Sequence, residues 1–252
     1  MASVIMVSVV RPVSLRLAAQ CRALFGPAIE AVQGRRYGRL WLGPAAGLMV
    51  TVLGFAARTE AGHAFITRHA VTHPGEAVPG VVVRLPLSMF APAALLPFWF
   101  AVLQVLIVFS LAQAVLGTWR TVAVAIAGHS LATLSAPLWL AAGPPVGLGL
   151  QDAWLADAGP SAAVVALLAY AAVHCRVGWL AAALVTYHAT EVVTVGGLPS
   201  REHLVGTLTG VALALVAAAP VALRTPTGPR PARVPAPAAG PGPDRHQRAR
   251  RR

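Results

Sequence analysis

Charge is scarce in this sequence. Only 11% of its 252 residues are charged, and its mean hydropathy is +0.69. Soluble domains, by contrast, carry roughly 25% charged residues. The hydrophobic residues, 57% of the total, are gathered in long apolar runs. This combination excludes an ordinary soluble domain and predicts a protein that crosses a membrane several times.

Lysine is absent, and cysteine nearly so. All 20 basic residues are arginines, and they give a net charge of +12. Most lie toward the two ends of the chain, which favours a role in membrane orientation over nucleic-acid binding. The two cysteines, Cys21 and Cys175, each neighbour an arginine at an expected cytoplasmic membrane edge. So few cysteines exclude a disulfide framework and a thiolate metal site.

Six apolar segments each approach the roughly 20 residues that a helix needs to cross a bilayer. They are residues 40–57, 93–116, 121–142, 159–173, 177–195 and 202–223. The run VVVRLPLSMFAP is interrupted by Arg84, Pro86 and Pro92, which predicts a short helix or loop lying in the interface. The predicted fold class is all-α, a polytopic membrane protein with six transmembrane helices.

Three regions follow from these spans. Residues 1–39 form a basic cytoplasmic segment, residues 40–223 the membrane domain, and residues 224–252 a Pro/Arg-rich cytoplasmic tail that we expect to be disordered. Six arginines precede the first span and eight follow the last, so both termini of this multi-pass cell-membrane protein should be cytoplasmic. The arginines that depart from this rule are Arg58, Arg68, Arg84 and Arg201.

A serine and a histidine occupy matching positions in two of the predicted spans. Ser161, in DAGPSAAVVALLAY, is about one turn into the fourth span, and His203, in HLVGTLTG, is a turn or less into the sixth. Both spans run inward, so the two side chains should lie at a similar shallow depth near the outer face. Gly206 and Gly210 would let the helices approach closely. One hydrogen bond would make Ser161 and His203 a nucleophile and its base.

These motifs resemble those of the rhomboid intramembrane serine proteases. GPSA at 159–162 is similar to their GxSG nucleophile motif, and HLVGTLTG is similar to their last-helix HxxGxxxG pattern. VVRLPLSMFAPAALLPFWFAV resembles the rhomboid stretch from Trp-Arg into span 2, and LAQAVLGTWRTVAVAIAGHSLATL resembles the end of span 2 through span 3. The resemblance covers residues 40–223. It implies a rhomboid-like bundle with Ser161 as nucleophile, His203 as base, and Gly159 and Ala162 supporting the oxyanion.

The chain departs from the rhomboid pattern around the oxyanion. The HxxxN positions of rhomboids fall on Pro97 and Ala101, whose side chains donate no hydrogen bond. Val83 replaces the Trp of Trp-Arg, Ala162 the second glycine of GxSG, and Pro160 lacks an N–H. Losing one oxyanion donor typically costs about 2.7–4 kcal/mol.

Two functions therefore stay open. One is a serine-type intramembrane endopeptidase that cleaves membrane-spanning substrates. The other is a catalytically inactive pseudoprotease that binds transmembrane segments of partner proteins. The expected partners are thus transmembrane proteins and the lipid bilayer, and not nucleic acid.

Further ionisable residues lie within the predicted spans. His129 is in the third, and His188 and Glu191, three residues apart, share one helix face in the fifth. Together with His129 or His203, the latter two could form a metal site, which would be a second kind of enzyme. Because HExxH is absent and no third ligand is defined, we predict no metal and no other cofactor. Asp157 is expected to cap the fourth span.

Overall fold

The computed structural model describes residues 2–92, 97–144 and 146–223, with side chains described from residue 15 to residue 219. All the regular elements in these ranges are helices, which confirms the all-α class. The α-helices are α1 (Ala2–Gln33), α2 (Leu42–Ala56), α3 (Glu60–His69), α4 (Val78–Ser88), α5 (Phe98–Leu116), α6 (Thr118–Ala142), α7 (Ser161–His174), α8 (Gly178–Thr194) and α9 (Gly197–Leu223). Short 3-10 turns occur at Tyr37–Arg39 and Leu150–Trp154.

Three helices, α5, α6 and α9, are long and apolar enough to cross a membrane. The other predicted spans also contain one helix each, but α2, α7 and α8 have only 15, 14 and 17 residues. The interrupted run before α5 forms α4, a short helix with Pro86 inside it. Residues 93–96, at the predicted start of the second span, and the predicted tail 224–252 lie outside the described residues.

The shortest of the six helices in the predicted spans, α7, is the centre of the bundle. Its 14 residues extend about 21 Å, less than the roughly 30 Å of a bilayer core. It contacts α5, α6, α8 and α9. Nine of its residues are buried: Ala162, Ala163, Val164, Ala166, Leu167, Ala169, Tyr170, Ala171 and Ala172. Other helices of the protein thus enclose most of α7.

Glycines bring α6 and α9 against this central helix. A Cβ atom placed on Gly206 would stand 2.7 Å from the Ala162 carbonyl oxygen. Gly210, one turn further along α9, faces the Ala166 backbone just as closely, and Gly128 of α6 lies against the Ala166 side chain. Small residues permit this close approach of helix backbones. The fourth and sixth predicted spans are therefore direct neighbours.

Loops cover the N-terminal end of α7. Thr72 and Asp157 exchange two backbone hydrogen bonds, of 2.9 and 2.8 Å, which join the α3–α4 connection to the α6–α7 connection. The Gly159 N–H donates to the Ser88 carbonyl oxygen at 2.8 Å, which ties the same connection to the end of α4. Arg201 is 5% exposed and donates to the carbonyl oxygens at 146 and 147. These bonds hold the start of α7 in place.

The opposite end of the bundle carries α1. Gln20 Nε2 donates to the Arg176 carbonyl oxygen at 3.2 Å, and Trp179 Nε1 donates to Gln20 Oε1 at 3.1 Å. Leu24 is buried in a cluster with Leu111, Ala171 and Val177. The basic segment that precedes the first predicted span is thus packed beside the α7–α8 turn.

Candidate functional site

Ser161 is the first residue of α7. Gly159 has a φ of +131°, in the region that favours glycine, and this conformation turns the chain into the helix. Pro160 then stands at the N-cap position. The Ser161 side chain is partly exposed, and its hydroxyl makes no hydrogen bond to a described residue. A serine hydroxyl thus lies at the positive end of the central helix.

His203 is held by residues of the neighbouring helix α8. Its Nδ1 lies 3.3 Å from Glu191 Oε2, and the same carboxylate oxygen lies 2.9 Å from His188 Nδ1. The two imidazole centroids are 5.3 Å apart. Since Nδ1 of His203 faces Glu191, the second ring nitrogen, Nε2, is left for another partner.

Packing places Ser161 and His203 in the same layer of the bundle. Gly206 of α9 contacts the Ala162 carbonyl of α7. Gly206 is one helical turn after His203, and Ala162 is the residue after Ser161. Ser161 and His203 make no direct hydrogen bond to each other in the described part of the chain. The contact places the first turn of α7 beside the N-terminal part of α9, and no hydrogen bond joins the hydroxyl to the imidazole.

Backbone donors remain available beside the hydroxyl. The N–H groups of Ser161, Ala162 and Ala163 donate to no described residue, since the first N–H of α7 with an acceptor is that of Val164. Free donors in a first helical turn attract anions. The Gly159 N–H, in contrast, is used by the Ser88 carbonyl, so Gly159 supports the turn and offers no oxyanion donor.

The positions that correspond to the rhomboid oxyanion side chains lie at the start of α5. Pro97 is the N-cap residue of that helix, and Ala101 is 3% exposed. Neither side chain can donate a hydrogen bond. Any stabilisation of an oxyanion would thus have to come from the backbone of α7.

The carboxyl groups of Asp157, before α7, and of Glu202, next to His203 in α9, are neighbours. Asp157 does not cap α7 as expected; its Oδ2 accepts from the Thr72 hydroxyl at 3.3 Å, and its carboxyl group lies near that of Glu202. Burial raises the pKa of Asp157 above its ordinary value of 3.8, against the opposing effects of its hydrogen-bonding neighbours. Glu202 is 7% exposed. Its Oε1 is without a partner among the described residues.

The core holds further polar groups, of which only His129 was a candidate from the sequence. His129 is 2% exposed, and although the Leu85 carbonyl is nearby, neither ring nitrogen reaches a hydrogen bond with a described residue. The hydroxyl groups of Ser88 and Thr207 are likewise buried and unpaired within the described ranges. The position of Glu202 next to His203 in the sequence was the one feature that could have pointed to the neighbouring carboxyl groups. Its partner Asp157 is 45 residues away, so the pairing itself has no local signature.

The site thus contains a free hydroxyl, a carboxylate-bound imidazole and free backbone donors. These are the groups that acyl transfer through a serine nucleophile requires. The set of His188, Glu191 and His203 also presents three ligand atoms, all within 4.8 Å of one another.

Comparisons with known proteins give no relative. A scan against protein-family models finds no match, and searches of curated proteins and of solved structures find no significant similarity.

Proposed function

We propose that this chain is a rhomboid-like membrane protein that acts as a serine-type intramembrane endopeptidase, with Ser161 as nucleophile and His203 as base. The observation that carries the proposal is the position of His203. Its Nδ1 faces Glu191 at 3.3 Å, while α9 packs on α7 one turn away at Gly206. This arrangement leaves Nε2 for the hydroxyl of the neighbouring helix.

The reaction follows from these groups. Ser161 Oγ attacks the carbonyl carbon of a peptide bond, and His203 Nε2 accepts the hydroxyl proton. The negative charge on the carbonyl oxygen is stabilised by the N–H groups of Ser161 and Ala162, aided by the helix dipole. His203 then protonates the leaving amine, and water hydrolyses the acyl-enzyme. Glu191 accepts the Nδ1–H bond and stabilises the imidazolium that forms.

The proposed setting is a six-span membrane domain with both termini in the cytoplasm. α2, α5, α6, α7, α8 and α9 are the six spans, and Ser161 and His203 lie toward the outer face. The docking of α1 beside Arg176 supports this orientation, because it gathers arginines of the N-terminal segment and of the α7–α8 turn at one end. The substrates would be membrane-spanning proteins cleaved near the outer leaflet.

Labelling by a fluorophosphonate probe tests the proposal. The purified chain in detergent should be labelled, and the label should be lost in Ser161→Ala. In His203→Ala the labelling rate should fall by about 100-fold or more, because general-base catalysis typically contributes that factor. Ser130→Ala, in α6, is the matched control and should label like the native chain. Labelling that persists in Ser161→Ala would contradict the proposal.

The second candidate function is a pseudoprotease that binds transmembrane segments without cutting them. It is favoured by Pro97 and Ala101, which supply no oxyanion donor, and by the lack of a hydrogen bond between Ser161 and His203. A folded chain that the probe never labels would leave this function standing. Its own test is photo-crosslinking to co-expressed membrane proteins, which should be equally efficient for the native chain and Ser161→Ala.

A further inference from the structure

We propose that His188, Glu191 and His203 form a binding site for a divalent transition-metal ion, with Zn²⁺ as the best match. Their ligand atoms converge from two helices: His188 Nδ1 is 2.9 Å and His203 Nδ1 is 3.3 Å from Glu191 Oε2. All the ligand atoms lie within 4.8 Å of one another. Adjacent ligands of a tetrahedral zinc ion are about 3.4 Å apart, so only small side-chain movements are needed.

The chemistry of the ligands selects the metal. Two imidazoles and one carboxylate form the His₂Glu set that zinc accepts, with a fourth position open to water. Mg²⁺ and Ca²⁺ prefer oxygen ligands, and this set supplies only one carboxylate. The site is also accessible, because the Glu191 and His203 side chains are each 20% exposed whereas His188 is 6% exposed. An ion can thus enter from the Glu191–His203 side.

The placement of the site in the membrane domain adds weight. Ionisable side chains are costly in membrane helices and occur there mainly for function. α8 places its one histidine and its one acidic residue, His188 and Glu191, on one face, and that face meets His203 of α9. If Glu191 needed only a structural hydrogen bond, one of the two imidazoles, His188 or His203, would be enough to supply it.

Metal binding would switch off the serine reaction, a consequence that rests on the proposed function. A metal ion on Nδ1 of His203 uses the lone pair of that nitrogen and displaces the hydrogen bond with Glu191. The proton of the neutral ring then resides on Nε2. An Nε2–H group cannot accept the proton of Ser161, so the imidazole no longer serves as a base. The metal ion and the dyad therefore compete for the same histidine.

Co²⁺ titration of the chelator-treated full chain in detergent tests the binding itself. We expect saturable visible absorption of tetrahedral Co²⁺, displaced by Zn²⁺. Glu191→Gln preserves side-chain volume and should weaken binding by at least about tenfold, as should His188→Ala. His63→Ala, which removes an exposed histidine of α3, is the matched control and should bind like the native chain. Thermal unfolding establishes that each variant is folded.

Three results would overturn the metal site. They are the absence of Co²⁺ bands in the native chain, full binding by folded Glu191→Gln and His188→Ala, and loss of binding in His63→Ala. Probe labelling with and without Zn²⁺ then tests inhibition. Zn²⁺ should suppress labelling of Ser161 in the native chain, a chelator should restore it, and labelling of His188→Ala should not respond to Zn²⁺, whatever its basal rate.

The two proposals fail separately. Co²⁺ binding by a chain that the probe never labels would refute the serine enzyme and keep the metal site. Labelling by a chain that never binds Co²⁺ or Zn²⁺ would refute the metal site and keep the serine enzyme. Labelling together with binding, but without suppression by Zn²⁺, would refute the competition for His203.

Discussion

At the scale of single residues, several ionisable groups of the helical bundle have polar partners. Glu191 bonds to two imidazoles, and Asp157 pairs with Thr72 and faces Glu202. Each of these groups would be costly to bury alone. The hydrogen bonds of Glu191 to the imidazoles and of Asp157 to Thr72 offset part of that cost.

Asp157 makes the stability of the fold depend on pH. Because burial raises its pKa, the folded chain binds a proton more tightly than the unfolded chain does. The stabilisation from this proton is complete below the ordinary pKa of 3.8 and is lost as the pH rises through the higher pKa of the folded state. A rise of one unit in the pKa corresponds to about 1.4 kcal/mol.

Thermal unfolding in detergent between about pH 4 and pH 7 measures this effect. We expect the native chain to lose stability as the pH increases and Asp157→Asn to lose less, because the amide has no proton to release. Asp152→Asn, in the same connection but outside the carboxyl pair, is the control and should follow the native chain. Identical pH profiles for the native chain and Asp157→Asn would refute the assignment.

At the scale of helices, the site depends on the contact between α7 and α9. Gly206 and Gly210 allow the backbone of α9 to reach the carbonyl groups of Ala162 and Ala166. This contact sets the depth of His203 relative to Ser161. The sequence pattern HxxGxxxG therefore combines the imidazole with the small residues that position it.

Gly206→Ala should separate these two helices. The added Cβ would lie 2.7 Å from the Ala162 carbonyl oxygen, an overlap that typically costs about 1–3 kcal/mol. We expect a lower unfolding temperature and slower probe labelling of Ser161. Gly178→Ala is the control, because nothing lies within 4 Å of a Cβ at the start of α8. Native stability and labelling in Gly206→Ala would show that the contact does not position the site.

At the scale of the whole molecule, three of the four arginines that depart from the orientation rule have local partners. Arg201 is buried and clamps the carbonyl oxygens at 146 and 147. Arg84 pairs with Glu76 and donates to the Val71 carbonyl oxygen at 3.1 Å. Arg58 stacks on Phe55 with 4.6 Å between its guanidinium carbon and the ring centroid. These three arginines make structural contacts. Their positions therefore count less against the proposed orientation than a plain count of charges suggests.

Cysteine accessibility tests the proposed orientation. Cys21 is exposed on α1, and Cys175→Ser leaves it as the only thiol. In intact cells, a membrane-impermeant maleimide should label this variant only after permeabilisation. Gln151→Cys in a chain without Cys21 and Cys175 places a thiol in the exposed α6–α7 connection and should be labelled without permeabilisation. Labelling of both thiols from the same side would exclude the six-span arrangement.

The apolar runs were enough to predict the helical class and a helix in each of the six segments. Helix formation depends on neighbours three or four positions apart, so it can be read along the chain. Other features needed the folded chain: the burial of the short helix α7, the docking of α1, and the pairings of Glu191 with His203 and of Asp157 with Thr72. These pairings join residues on different elements, and they form only because glycine contacts set how closely and at what depth the helices pack.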